Sequence, residues 1–417
     1  MKKYIIEGGN FLSGEADVQG AKNSALPILA AAAAVGDRCD IHNCPDLTDI
    51  EATVRILRSL GCIVVRDGDT LTVDSSAVNS GVIEERLMHE MRSSIIFMGA
   101  LISKIGEAEL TAPGGCDIGL RPCDLHLSAM KSLGVAVEEC GGKIRCTCAK
   151  VKGETIDLSF PSVGATENII LASLRASGTT TINNAAREPE IIDLAGFLNS
   201  CGARIRGAGE STVIIEGVEE LHGTEYTIMP DRIVACTYMA AAAVTGSQIT
   251  LNNVIPQHLS PVISCFKQAG CKIQTSGRRM VFSAPERLGS MGQIITEPYP
   301  GFPTDCQALI MAASCVADGK TIINEIIFEN RFRHVAELAK LGADIKVSDR
   351  VAVVNGVEKL IGTHVSSTDL RAGAALVVAA LCAEGITTVD NIQYIDRGYD
   401  CLAENLSKLG AVIKRKE

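Results

Sequence analysis

The sequence predicts a two-domain α/β fold built from six copies of one βαβαββ unit, three to a domain. Three observations predict it: a glycine recurring at a nearly constant interval, a strand-and-asparagine phrase repeated beside small-residue runs, and a length beyond one core. The glycines are Gly61, Gly134, Gly202, Gly270, Gly342 and Gly410, and subtraction gives spacings of 73, 68, 68, 72 and 68. Such a period marks a repeated supersecondary unit. The phrases are Thr181-Ile182-Asn183-Asn184, Thr250-Leu251-Asn252-Asn253, Ile322-Ile323-Asn324-Glu325 and Val389-Asp390-Asn391-Ile392, each just beyond a glycine and just before a helical pattern. At 417 residues the chain exceeds the ~250–300 residues at which a single core stops growing.

Taken in order from Tyr226 to Phe282, one unit reads as follows. An extended start at Thr227-Ile228 meets Pro230-Asp231, and an Ala-rich helix runs through Val244. After Gly246 come a strand at Gln248–Leu251, a turn, an amphipathic helix through Gln268, and a hairpin of Lys272–Gln274 with Met280–Phe282. Parallel connections of this kind require helices packed on a sheet. The Ala-rich helices have little polar face, so they are expected between sheets rather than outside them. The sixth unit stops at Ala411–Lys414 without its last strand, and Tyr4-Ile5-Ile6-Glu7-Gly8 matches Val213-Ile214-Ile215-Glu216-Gly217, so the N-terminus is expected to complete it. The domains are then 21–229 and 230–417 plus 1–20, with the active site expected in the cleft between them.

Composition narrows the functions. The chain is 47 % hydrophobic with a net charge of −10, which supplies ample core and argues against general affinity for nucleic acid or anionic membrane. The apolar start is cut off by Glu7, unlike a signal peptide, and the run Ala25–Val35 falls short of the ~20 residues of a membrane span. Sixteen scattered cysteines with no Cys-x-x-Cys fit a reduced, cytoplasmic protein, and seven histidines without ligand spacing predict no metal.

The repeat also sorts the charged residues. One class of strand-to-helix loop holds Lys22-Asn23, Arg92-Ser93, Ser162-Val163-Gly164, Asp231-Arg232, Thr304-Asp305 and Asp369-Leu370-Arg371; the other holds Cys116 to Arg121, Arg187-Glu188, Arg331 and Asp396-Arg397. Loops of one class gather at strand carboxyl ends in α/β folds, and helix N-termini with guanidinium forks favour phosphate and carboxylate. A small anionic ligand is implied. The second copy breaks the asparagine rule: Leu110-Thr111-Ala112-Pro113-Gly114-Gly115-Cys116-Asp117-Ile118-Gly119-Leu120-Arg121-Pro122 stands where the turn is expected. Glycines and prolines around Cys116 describe an exposed loop, and Arg121 can depress the thiol pKa.

These residues resemble the enolpyruvyl transferases. The resemblance runs end to end through Gly20-Ala21-Lys22-Asn23, Pro113–His126, Pro161-Ser162-Val163-Gly164-Ala165-Thr166-Glu167-Asn168, Glu297–Asp305, Phe328-Glu329-Asn330-Arg331-Phe332, Asp369–Gly373 and Asp396-Arg397-Gly398-Tyr399. It implies an inside-out α/β barrel in each domain, with helices buried, and a reaction without metal or organic cofactor. In that reaction enolpyruvyl passes from phosphoenolpyruvate to the 3-hydroxyl of UDP-N-acetylglucosamine through a tetrahedral ketal, releasing phosphate, as the first committed step of peptidoglycan synthesis.

The same resemblance implies roles. Cys116 is the acid for the methylene carbon and the thiol that fosfomycin alkylates. Lys22, Arg121 and Arg397 bind phosphate; Arg331 and Arg371 hold the carboxylate; Asp305 is the base for the sugar hydroxyl. Asn23, Arg92, Ser162, Val163, Gly164 and Glu188 fit the nucleotide-sugar side, with Pro122, Asp124 and Leu125 around the uracil, and Asp231, Ile327 and Asp369 complete the substrate-binding set. Asp305, Asp231 and Asp369 each also suit a helix N-cap, and Arg187-Glu188-Pro189-Glu190 also suits a solvated helix start. Asp117 and Phe160 depart from the family pattern, where a small residue and a Lys occur in other members. The rival acceptor is shikimate 3-phosphate, which the Cys116 loop disfavours. RNA 3′-terminal phosphate cyclases, with related repeats, are disfavoured by the acidic balance, and a non-catalytic sugar-nucleotide-binding paralogue remains the third reading.

Overall fold

The computed structural model describes residues 2–111 and 123–417. The chain divides into two compact units, 20–229 without the undescribed loop, and 230–417 with 2–19. Among the described residues no helix is long and apolar enough to cross a membrane.

Each unit is organised by three helices that are apolar nearly all round. In the first they are Lys22–Val35, Phe97–Ile105 and Val163–Ala172; in the second Arg232–Val244, Thr304–Ser314 and Leu370–Cys382. Ala30 to Ala34 are at most 1 % exposed, and every residue of Arg232–Val244 is buried. A helix without a polar face is stable only when covered on all sides. The three pack against one another, and sheets and outer helices such as Thr48–Ser59 and Pro189–Ser200 cover them. This is the inside-out α/β architecture.

The described residues form six sheets with one plan. In the third repeat the parallel edge strand Thr155–Asp157 pairs with Thr179–Asn183, which pairs antiparallel with Thr212–Glu216 and through it Arg204–Arg206. The second repeat reduces its edge to one parallel bridge, Val82 with Glu109. The N-terminal strand Lys3–Glu7 lies between Ile386–Asp390 and Val412–Lys416, completing the sixth repeat as its match to Val213–Gly217 predicts.

The unit read from Tyr226 onward needs one correction, because its first strand is exchanged. Glu225–Thr227 leads into Arg232–Val244 yet pairs with Arg38–His42, while Glu15–Asp17 leads into Lys22–Val35 yet pairs with Gln248–Asn252. Local sequence cannot reveal the swap, since both strands carry the same short pattern.

The recurring residues have backbone reasons. All six repeat glycines adopt positive φ, between 80° and 105°, after an outer helix, where a Cβ would be strained. Asn43, Asn184, Asn253 and Asn391 are also left-handed, with φ of 53–58°. Three of them use the side chain identically: Nδ2 of Asn43, Asn184 and Asn253 donates to the carbonyl of Ile228, Leu158 and Val18, the residue after each parallel edge strand. The fifth repeat differs from expectation. Its strand runs on to Glu325, whose carboxylate accepts from the amides of Ile327 and Phe328 and from the Thr304 hydroxyl, so a buried acid shapes the turn leading to Arg331.

Replacing Asn184 separates these effects. Asn184→Gly keeps the backbone and loses the bond, while Asn184→Ala loses the bond and strains φ, adding roughly 1–2 kcal/mol. Denaturant unfolding should therefore rank wild type above Gly above Ala; equal midpoints for all three would remove the turn's structural role.

Candidate active site

The described polar residues at the heads of the inner helices form two clusters, one in each unit. In the unit built on 230–417, Asp305 lies in the first turn of Thr304–Ser314. It is not an N-cap, since Pro303 holds that position and the helix starts before Asp305. Its carboxylate accepts from Arg331 at 2.7 Å and from Arg371 at 3.2 Å. Burial opposes its ionisation, but Arg371 and Arg331, with Arg232 behind them, outweigh that and hold the carboxyl far below the usual range. The Arg331 guanidinium also lies 5.7 Å from the Phe328 ring centre, and that of Arg232 5.8 Å from Tyr299. Nε of Arg331 and Nη1 of Arg371 are buried without a hydrogen-bond partner, two donors still open to an anion.

The other acids divide differently. Asp231 and Asp369 are N-caps: Oδ1 of Asp231 accepts from the amides of Ile233 and Val234, and Oδ1 of Asp369 from those of Arg371 and Ala372. Asp369 thereby fixes the turn that carries Arg371. His334 is buried beside Asp369 and Arg331, and burial pushes its pKa down to about 4, so at neutral pH it adds no further cation. Arg397 ends the 3-10 helix Ile392–Arg397, and Ile327 lies in the turn shaped by Glu325. Asp49, Glu325 and His334 are not among the expected site residues. The only signal at Asp49 is an acid in a helix's first turn, which is common, and the buried acid of Glu325 reads in sequence as a variant of the Asn turn.

In the unit built on 20–229, Lys22 opens its helix and its Nζ is 2.5 Å from Asp49, both side chains buried. Asn23 follows, half-buried. Ser162 caps Val163–Ala172 by accepting from Ala165, which leaves Val163 and Gly164 in the first turn. Phe160 is 45 % exposed just before it. Gly164 lies against His126: a Cβ there would come within 3.1 Å of the ring. The His126 Nδ1 receives the Asn168 amide at 2.8 Å, and Asn168 Oδ1 accepts from Gly99, so one side chain ties Asp124–Ser132 to two inner helices. Asp124 and Leu125 begin that helix. Glu188 precedes the first turn of Pro189–Ser200, and Glu190 is only 3 % exposed, so this is not a solvated helix start. Cys116, Asp117, Arg121 and Pro122 lie outside the described residues, as does the side chain of Arg92.

Charged and polar side chains at helix N-termini are an arrangement that suits small anions. The model of the family "EPSP synthase (3-phosphoshikimate 1-carboxyvinyltransferase)" matches residues 6–406. A UDP-N-acetylglucosamine 1-carboxyvinyltransferase 2 of Caldanaerobacter subterraneus subsp. tengcongensis is 51 % identical over all of both chains, and a UDP-N-acetylglucosamine 1-carboxyvinyltransferase 1 of Clostridium acetobutylicum is 46 % identical, again over all of both. Among solved structures, the enolpyruvyl transferase NikO from Streptomyces tendae superposes with a TM-score of 0.89 at 29 % identity, covering 100 % of this chain and 99 % of its own. EPSP synthase from Acinetobacter baumannii, at 0.78 and 18 % over all of both chains, shares the fold. The chain belongs to the enolpyruvyl transferase family.

One buried acid gives a test of this electrostatic picture. Burial, then Glu190 and Glu188, push Glu167 well above the ordinary glutamate value, so the folded protein holds it neutral. A raised folded pKa adds stability below the unfolded value of about 4.3, and that stability is lost as pH rises toward the folded value. Glu167→Gln mimics the neutral acid and should gain on wild type in melting temperature between pH 5 and pH 8. That gain should grow with rising pH, and a gap that stays flat or narrows would mean that Glu167 is ionised in the fold.

Proposed function

We propose that this chain transfers the enolpyruvyl group of phosphoenolpyruvate to the 3-hydroxyl of UDP-N-acetylglucosamine and releases phosphate, opening peptidoglycan synthesis. The observation that carries the reading is Asp305 held between Arg331 and Arg371, with two guanidinium donors left open, in a chain half identical to a relative named for this reaction.

The chemistry follows from that arrangement. In the addition step the sugar oxygen bonds to C2 of phosphoenolpyruvate, its proton passes to Asp305, and Cys116 delivers a proton to C3, making a methyl group. In the elimination step the C2–O bond to phosphate breaks, the leaving phosphate takes the proton held by Asp305 and departs as hydrogen phosphate, and a methyl proton returns to the thiolate, restoring the double bond. A carboxylate that two arginines hold so far below its usual pKa is a poor base. An incoming carboxylate competes for those arginines, so binding of phosphoenolpyruvate raises the basicity of Asp305 when it is needed. Arg331 and Arg371 take the carboxylate, while Lys22, Arg121 and Arg397 take the phosphate. The helix head at Ser162, Val163 and Gly164, with Asn23, Arg92 and Glu188, takes the nucleotide sugar; Pro122, Asp124, Leu125 and Ile327 surround its base and sugar. Fifteen cysteines among the described residues are free thiols, which suits a cytoplasmic setting.

Purified protein, without added metal, should release phosphate from phosphoenolpyruvate with UDP-N-acetylglucosamine and not with shikimate 3-phosphate; the reverse choice would overturn the reading. Asp305→Asn should lower kcat by ~100-fold or more, in the range of lost general acid–base catalysis. Fosfomycin should add one mass increment, mapped to Cys116, and Cys116→Ser should lose both that label and most turnover, since the thiolate is the reactive form. A label on Cys123, or a fully active Ser variant, would show that the loop has another role.

A further inference from the structure

We propose that Arg415, one short helix further along the chain and two residues from the C-terminus, is a positioning residue for Arg397. The inference rests on the phosphate-binding role given to Arg397 above. Arg397 is the last residue of the 3-10 helix Ile392–Arg397, and a flexible side chain binds an anion well only if its backbone is fixed. The neighbouring Asp396 supplies the fixing point. Nη1 and Nη2 of Arg415 each lie 2.7 Å from one oxygen of its carboxylate, a fork-to-fork pair that sets orientation as well as distance.

Arg415 is itself held. It stands in the strand Val412–Lys416 directly opposite Tyr4 of the N-terminal strand. The Tyr4 phenol lies in the field of that guanidinium and of Asp396, and burial first, then Asp396, push it up to about 12, so it stays neutral. Both chain termini thus converge on Asp396. On the far side, Gln19 donates to the Gly398 carbonyl at 3.3 Å and accepts from the Asp400 amide at 2.8 Å. Arg397 is therefore strung between two anchors, Arg415 on the residue before it and Gln19 on the residues after. The Arg415 and Asp396 side chains are only 29 % and 18 % exposed, which sets the pair apart from surface ion pairs that contribute little.

The test is a double-mutant cycle. Arg415→Met keeps the apolar stem and removes the fork; Arg415→Lys keeps the charge with a single point of attachment. Arg415→Met should raise KM for phosphoenolpyruvate and the inhibition constant of inorganic phosphate about tenfold, and Arg415→Lys should restore part of the loss. KM for UDP-N-acetylglucosamine should stay within about twofold, which a general loss of structure would not allow. In an Arg397→Ala background the Arg415→Met change should add almost nothing, because its target is gone. Fully additive effects, or equal rises in both KM values, would overturn the proposal. Should Arg415→Met fail to fold, Gln19→Ala probes the second anchor and is expected to show the same selective loss; unchanged kinetics there would equally overturn it. Absence of turnover by the wild type would instead count against the functional reading, and phosphate binding measured by calorimetry on both proteins would still decide the clamp.

Discussion

Six helices with no polar face impose the constraint on which everything else depends. Lys22–Val35 and its counterparts are stable only when sealed from water, so each repeat must wrap its helix with a sheet and an outer helix. Three such helices then pack together in each unit. Charged residues such as Lys22, Arg232, Asp305 and Arg371 are concentrated at their N-termini, and a polar group farther along, such as Asn168, is buried with hydrogen-bond partners. In the unit that carries Asp305, three helix heads meet: Arg232, Asp305 and Arg371 belong to three different repeats. The hydrophobic design of the repeat thus leads directly to a cluster of charges that surface residues would not form.

That cluster is electrostatically loaded. Two buried arginines share one carboxylate and keep open donors, which is costly unless an anion completes the set. Neutral His334 next to it adds no further cation to Arg331, Arg371 and Arg232. The two capping acids, Asp231 and Asp369, fasten the backbone of the helix heads without consuming the arginines' remaining donors. Ion pairing and helix capping are served by different carboxylates, although all three look alike in sequence.

The repeats also show how one plan tolerates local exceptions. Four turns use a left-handed asparagine, and three of those spend its amide on the parallel edge strand. Where the fifth repeat carries Arg331, a buried Glu325 replaces that device and holds the turn by its carboxylate. This departure from the repeat falls at the turn that leads to Arg331, one of the two arginines on Asp305.

The sequence by itself determined the number of repeats, the apolar inner helices, the glycine and asparagine turns, and the completion of the last sheet by Lys3–Glu7, because each follows from short-range backbone preference or hydrophobic period. It also placed Lys22, Asp305, Arg331, Arg371 and Arg397 at loops before helices. Only the tertiary structure decided which strands exchange, since Glu15–Asp17 and Glu225–Thr227 are too short to encode their partners. Only it separated Asp305, which pairs with two arginines, from Asp231 and Asp369, which cap helices. The partners of Lys22 and of Asp396 lie 27 and 19 residues away, at Asp49 and Arg415, positions without a sequence signature. An ion pair depends on where two side chains end in space, and packing, not local pattern, sets that.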